Sequence, residues 1–175
     1  DLSESAIDFI ASQSGKDRPL FLYLAHYAPH APIQAPEARV QKCLNRYLAG
    51  FEQLQRERFA RQQTLGVLPE NTTIAAGMPS WDKLSDARKN AWARKMATYA
   101  AMIEIMDDGI GKLIEVLIES GQYENSLIFF LSDNGATPEG KGSTTYAMLS
   151  NTPYRGHKAH TWQGGISSPL IVSWP

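Results

Sequence analysis

The sequence predicts an α/β protein in which helices flank a mixed, largely parallel sheet. Three short apolar runs, each bounded by polar residues or proline, are typical of buried strands and lie at 19–25, 126–132 and 166–173. Between the first two runs, apolar residues recur at helical spacing, most regularly over 99–117. The order strand, helices, strand, loop, strand indicates α/β architecture.

The elements follow in order along the chain. Residues 1–14 have helical spacing, and Gly15 is suited to a left-handed helix end. The first apolar run leads into a proline-rich loop, which excludes regular helix or a central strand there. The charged stretch 37–63 predicts one or two amphipathic helices, and Ser85 is the expected N-cap of the next one. A polar, glycine-containing loop separates the last two strands.

Composition excludes several functional classes. The chain has 175 residues, which suits one domain, and 17 Lys and Arg against 18 Asp and Glu give a net charge of -1. This balance argues against a nucleic-acid partner. No apolar run approaches the roughly 20 residues of a membrane span. The single cysteine, Cys43, excludes an internal disulfide framework and a cysteine-based zinc cluster.

Polar residues follow the first two predicted strands, where open α/β sheets bind their ligands. Asp133 and Asn134 end the second strand and offer the hard oxygen ligands that Ca²⁺ or Mg²⁺ prefers, with Gly135 permitting a sharp turn. The alternative is a ligand-free turn of common sequence. From these residues alone, both interpretations stay open.

The other candidates are basic. His30, in the proline-rich loop, could protonate a leaving group, and His26 is a weaker candidate of the same kind. Lys158 or Arg155, beside a glycine, could hold an oxyanion. The alternatives are an ordinary loop histidine and a solvated basic loop.

Four segments in this order resemble the type I sulfatases, and within them the bacterial arylsulfatases: FLYLAHYAPHAPIQAPE, YAAMIEIMDDGIGKLIEVLIESGQYENSLIFFLSDNG, NTPYRGHKAHTWQGGISSP and LIVSWP. The resemblance implies the alkaline-phosphatase-like fold and hydrolysis of a small-molecule sulfate monoester. It also implies that Asp133 and Asn134 ligate a calcium ion. His30 and Lys158 would contact the sulfate group, with His30 helping to protonate the leaving group.

The nucleophile of such sulfatases is a formylglycine made from Cys or Ser in a Cys/Ser-x-Pro-x-Arg motif. Cys43 stands in Cys-Leu-Asn-Arg-Tyr and does not match it. We therefore expect residues 1–175 to be the later part of a sulfatase catalytic domain, with a helical insert at about 37–94 and the nucleophile-bearing half absent. Such a fragment is expected to be inactive and to bind calcium weakly.

Two alternatives remain beside the sulfatase hypothesis. One is a phosphonate or phosphodiester hydrolase of the same superfamily, and the other is a non-catalytic, truncated remnant. The resemblance favours a periplasmic or secreted location. The oligomeric state stays open.

Overall fold

A computed structural model describes residues 2–138 and 144–175 of the chain. Its helices and strands, in chain order, are α1 (Leu2–Gln13), α2 (Glu37–Leu48), α3 (Phe51–Thr64), α4 (Asp86–Glu119), β1 (Ile128–Leu131), α5 (Thr145–Ser150), α6 (Gln163–Ile166) and β2 (Leu170–Ser173). None of the helices in the described ranges is long and apolar enough to cross a membrane.

The longest element is α4, with 34 residues. It starts where predicted, because the Ser85 side chain accepts a hydrogen bond from the Arg88 N–H at 3.4 Å. The predicted insert boundary at residue 94 falls inside this continuous helix. Gly15 follows α1 with φ 73°, the left-handed conformation expected of it.

The core lies where α2, α3, α4 and α5 meet. Phe51 is 1% exposed, and its ring lies 5.1 Å from that of Trp81 and 5.7 Å from that of Trp92. Around it pack small and medium side chains from α3 itself and from the other helices: Val40, Leu54, Ala93, Met96, Ala97 and Leu149. The alanines of α4 allow the close approach of α2, so the helices form one continuous apolar cluster.

The sheet confirms two of the three predicted strands, but its pairing differs from the largely parallel arrangement that was expected. In the described residues, β1 and β2 form a two-stranded antiparallel pair, with Ile128 opposite Ser173 and Leu131 opposite Leu170. Phe129 is 57% exposed and Ile171 is 60% exposed, so the apolar side chains predicted to be buried lie at the surface.

The prediction of a first strand at 19–25 is wrong for the described residues. The segment runs without regular secondary structure, and Phe21 and Tyr23 are 88% and 82% exposed. Strand identity requires a neighbouring strand that exchanges backbone hydrogen bonds, and in the described part of the chain nothing pairs with this segment. Its apolar character therefore predicted a burial that these 175 residues do not provide.

Candidate functional site

The loop after β1 and the loop before β2 pack against each other through their backbones. The Lys158 N–H donates to the Ala136 carbonyl at 3.0 Å, and the Gly135 N–H donates to the Gly165 carbonyl at 3.0 Å. In the first bond, the partner of Lys158 is Ala136, which lies two residues after Asn134 in the loop that follows β1. Two of the sequence-predicted segments, that of Asp133 and Asn134 and that of Lys158, are thus brought together.

Asn151 joins the same two loops from the side. Its Oδ1 accepts from the Ala136 N–H at 2.9 Å, and its Nδ2 donates to the Gly156 carbonyl at 3.0 Å. One amide therefore satisfies a donor in the loop after β1 and an acceptor in the loop that carries Lys158. This residue fixes the separation of the two loops.

Three buried glycines allow this close packing. A Cβ added at Gly135 would lie 1.7 Å from the Gly164 carbonyl oxygen. At Gly164 it would meet the Gly156 oxygen at 2.4 Å, and at Gly165 the His160 oxygen at 2.1 Å. Only glycine fits where backbone meets backbone at these distances. This backbone packing explains why the segment NTPYRGHKAHTWQGGISSP has glycine at positions 164 and 165.

Helix α3 contacts the segments that form the site through a half-buried arginine, Arg58. The Arg58 guanidinium donates to the carbonyls of Leu149 and Ser150, at the end of α5, and burial lowers its pKa. One turn later, the Gln62 Nε2 donates to the Thr152 carbonyl at 3.0 Å. These bonds fix α5 and the segment that leads to Lys158 against α3.

The chemistry of Asp133 and Asn134 fits a hard divalent cation. The Asp133 carboxylate is exposed and forms no ion pair in the described residues, and the Asn134 Nδ2 donates to the Gly135 carbonyl at 3.0 Å. With Nδ2 engaged in that bond, the Oδ1 atom is the one that could ligate a cation. In the described residues, however, no group of three or more His, Cys, Asp or Glu side chains could hold a metal. The donor types fit calcium, and their number is well below the six to eight that calcium takes.

His30 lies apart from the other candidates. It is exposed, its N–H donates to the Tyr27 carbonyl at 2.8 Å, and its Nδ1 lies 2.9 Å from the Ala31 carbonyl oxygen. No hydrogen bond in the described ranges joins it to Asp133, Asn134 or Lys158. Its loop does approach the site, because Ile33 and Thr137 line one small cavity.

The second histidine of that loop is a poorer proton carrier. His26 is half-buried, and desolvation lowers its pKa. A lowered pKa disfavours the protonated imidazole that a general acid requires. This disfavours His26 as a proton donor, and the assignment of that role to His30 stays a prediction.

Sequence reasoning missed Asn151 as a site residue and gave no role to the pair His157 and His160. The two rings lie 4.0 Å apart, and the His157 Nδ1 lies 2.7 Å from the Lys158 carbonyl oxygen. The two rings meet because the loop turns tightly. Spacing of i, i+3 predicts a side-chain contact only within a helix, so the sequence did not indicate this one. An asparagine before Thr-Pro is equally common in ordinary turns.

Replacing Asn151 by alanine should lower the free energy of unfolding by about 2 kcal/mol, because the Ala136 N–H and the Gly156 carbonyl both lose their partner. Asn151→Asp keeps an acceptor and loses the donor, so its effect should be intermediate. Urea denaturation measures both. The control is Asn45→Ala on the exposed face of α2, which should change stability by less than about 0.5 kcal/mol. Equal effects of Asn151→Ala and Asn45→Ala would contradict the bridging role.

Comparison with known proteins decides the family. A protein-family model described as Sulfatase matches residues 1–175. The chain belongs to the sulfatase family.

Individual relatives agree with this assignment. The chain is 34% identical to an arylsulfatase of Klebsiella aerogenes over 191 aligned residues, covering 91% of the chain and 41% of that protein. It is 37% identical to an uncharacterised sulfatase of Schizosaccharomyces pombe, covering 99% of the chain and 37% of that protein. The chain thus spans about two fifths of the length of these relatives.

Comparison with a solved structure supports the same fold. The crystal structure of Ps i-CgsB in complex with k-i-k-neocarrahexaose superposes with a TM-score of 0.59 at 29% identity, covering 99% of this chain and 27% of that one. The α/β class and the sulfatase architecture expected from the sequence are confirmed.

Proposed function

We propose that the protein hydrolyses sulfate monoesters of the arylsulfatase type and that this chain supplies part of the sulfate and calcium sites. The observation that supports the proposal is the backbone hydrogen bond from the Lys158 N–H to the Ala136 carbonyl, which joins the Lys158 segment to the loop of the two candidate oxygen ligands, Asp133 and Asn134. Sulfatase-family membership and the similarity to an arylsulfatase support the reaction class.

In this proposal, the ammonium group of Lys158 binds the sulfate oxygens and stabilises the negative charge that grows on them in the transition state. Lys158 is half-buried, so its charge acts in a medium less polarisable than water. The rigid backbone around Gly135 and Gly165 holds it in place without reorganisation during the reaction.

His30 is assigned to the leaving group. Its imidazole N–H would donate a proton to the ester oxygen as the S–O bond breaks, leaving an alcohol or phenol. The exposed position of His30 in a proline-rich loop leaves its ring accessible to a substrate.

Asp133 and Asn134 would hold the calcium ion through a carboxylate oxygen and the amide Oδ1. A bound calcium supplies positive charge that polarises the sulfate oxygens. We propose that the nucleophile, a formylglycine, comes from outside these 175 residues, because no Cys/Ser-x-Pro-x-Arg motif occurs in them. Export to the periplasm or the cell exterior is proposed from the family resemblance.

The decisive experiment compares sulfate release from an aryl sulfate with phosphate release from an aryl phosphate and an aryl phosphodiester, using the full-length protein with calcium. We expect kcat/KM to be highest for the sulfate ester. Faster phosphate release would establish the phosphodiesterase alternative, which the names of the relatives do not favour. Absence of all three activities would establish the non-catalytic alternative.

Calcium binding tests the number of ligands within this chain. Isothermal titration of calcium into the 175-residue chain should show binding no tighter than about 1 mM, because Asp133 and Asn134 provide only two of the six to eight oxygens needed. Asp133→Asn should leave the titration unchanged within error. Micromolar binding that Asp133→Asn abolishes would mean that this chain holds a nearly complete calcium site.

A further inference from the structure

A cavity of about 680 Å³ lies between the loop 69–76 and the segment just before Lys158. Small-molecule sites in proteins span about 300–1,000 Å³, so the cavity has room for a ligand of one or two rings. None of the four candidate residues from the sequence, His30, Asp133, Asn134 and Lys158, lines it. Those four residues are the ones proposed for sulfate and calcium, so the cavity lies outside that proposed site.

Backbone hydrogen bonds hold the two walls of this cavity together. The Ala75 N–H donates to the Pro153 carbonyl at 2.9 Å, across the two walls. Within the outer wall, the Thr72 N–H donates to the Pro69 carbonyl at 3.0 Å and closes a turn. Pro153 itself is buried. These bonds give the cavity defined walls and fix one of them to the loop that carries Lys158.

Arg155 gives the cavity a positive charge. Its guanidinium carbon lies 4.0 Å from the centre of the Trp162 ring, and its carbonyl accepts from the Gly164 N–H at 2.8 Å. Stacking on tryptophan orients the planar guanidinium and leaves its N–H edge available. In the described residues, Arg155 forms no ion pair and no carboxylate lines the cavity. A ligand that reaches this wall therefore meets an unpaired cation.

The remaining polar lining consists of hydroxyl and amide side chains. Asn71, Thr72 and Thr73 lie on the outer wall and Gln163 on the inner one. These groups both donate and accept hydrogen bonds, as the hydroxyl groups of a saccharide do. A neutral aromatic ring would leave most of them without a partner, at a cost in binding free energy.

We propose that this cavity binds a hydroxyl-rich anionic ring, of the kind found in a uronate-containing saccharide, with its carboxylate on Arg155. The further assignment of this ring to the leaving-group side of the substrate rests on the proposed function, since Arg155 precedes Lys158 by three residues. A small aryl sulfate would leave the cavity empty, whereas a longer saccharide sulfate would occupy both the cavity and the proposed sulfate site at Lys158.

The test measures binding and requires no sulfate ester hydrolysis. The full chain, labelled with ¹⁵N, is titrated with cellobiuronate (an unsulfated disaccharide with one carboxylate), with neutral cellobiose and with inorganic sulfate. We expect cellobiuronate to shift the amide signals of Thr73, Arg155 and Gln163 and to bind at least about fivefold more tightly than cellobiose, the amount expected of an accessible charge pair.

Variants assign the effect to the guanidinium. Arg155→Gln should weaken cellobiuronate binding about fivefold, and Arg155→Lys should weaken it less, because the charge remains and the planar fork is lost. Arg88→Gln, an exposed arginine at the start of α4, is the control and should leave binding unchanged. A Thr73→Val variant, which keeps the side-chain shape and removes the hydroxyl, should weaken both disaccharides equally.

Several results would overturn the proposal: no shift with either disaccharide, equal affinity for both, or equal loss in Arg155→Gln and Arg88→Gln. Sulfate alone shifting the same three amides as strongly as cellobiuronate would overturn the saccharide part. The proposed sulfatase activity fails separately, through the absence of sulfate release, so the two failures are distinguishable.

Discussion

Replacing Lys158 by alanine should lower kcat/KM for an aryl sulfate by about 100-fold to 1,000-fold in the full-length protein, which is the range for removing one group that stabilises transition-state charge. The loss should appear mainly in kcat, because the ammonium group interacts more strongly as charge accumulates on the sulfate oxygens. Lys158→Arg should recover part of the rate, since the charge remains while its position changes.

The control for this experiment is Lys112→Ala, which removes an exposed lysine of α4 and should leave kcat/KM within about twofold of the unaltered protein. Thermal unfolding of each variant separates loss of folded protein from loss of function. Lys158→Ala with full activity and unchanged stability would remove Lys158 from the proposed site. A loss of activity that follows loss of folded protein would assign Lys158 a structural role.

Replacing Gly135 by alanine should lower the free energy of unfolding by about 3 kcal/mol, at the upper end of the usual cost of overpacking. The added Cβ would lie 1.7 Å from the Gly164 carbonyl oxygen and 2.7 Å from its carbonyl carbon. Both are backbone atoms, so no flexible side chain can move aside. The loop would have to separate from its partner, which breaks the Gly135 N–H to Gly165 carbonyl bond.

Gly111→Ala is the matched control, because a Cβ at Gly111 meets nothing within 4 Å and the residue lies exposed within α4. Alanine is the better helix former there, so this variant should gain about 0.5–1 kcal/mol. Urea denaturation should show changes of opposite sign in the free energy of unfolding of the two variants. A Gly135→Ala variant as stable as the unaltered protein would show that the two loops do not pack as described.

Much of the local structure was predictable from the sequence. Helix α1 ends before Gly15, α4 begins after Ser85, and β1 lies inside the predicted run 126–132. Each of these depends on contacts between residues three or four positions apart, or on the conformational freedom of one residue. A single sequence displays such signals directly.

The candidate site was predictable only as a set of residue types. The sequence predicts Asp133, Asn134 and Lys158 as site residues, and their segments meet through the Lys158 to Ala136 hydrogen bond. His30 was proposed with them, and no direct bond in the described residues joins it to the others. The distance between a loop at residue 30 and one at residue 158 depends on how the intervening helices pack, which no local pattern encodes.

The sequence by itself determined the class of fold, the family resemblance and the positions of the loops with charged and glycine residues. The tertiary structure alone decided the antiparallel pairing of β1 with β2, the exposure of the run 19–25, the bridge at Asn151 and the cavity at Arg155. The physical reason is the range of the forces involved. Helix spacing and capping are local, whereas pairing, burial and cavities arise where segments far apart in the chain meet, as Arg58 meets Leu149 across 91 positions.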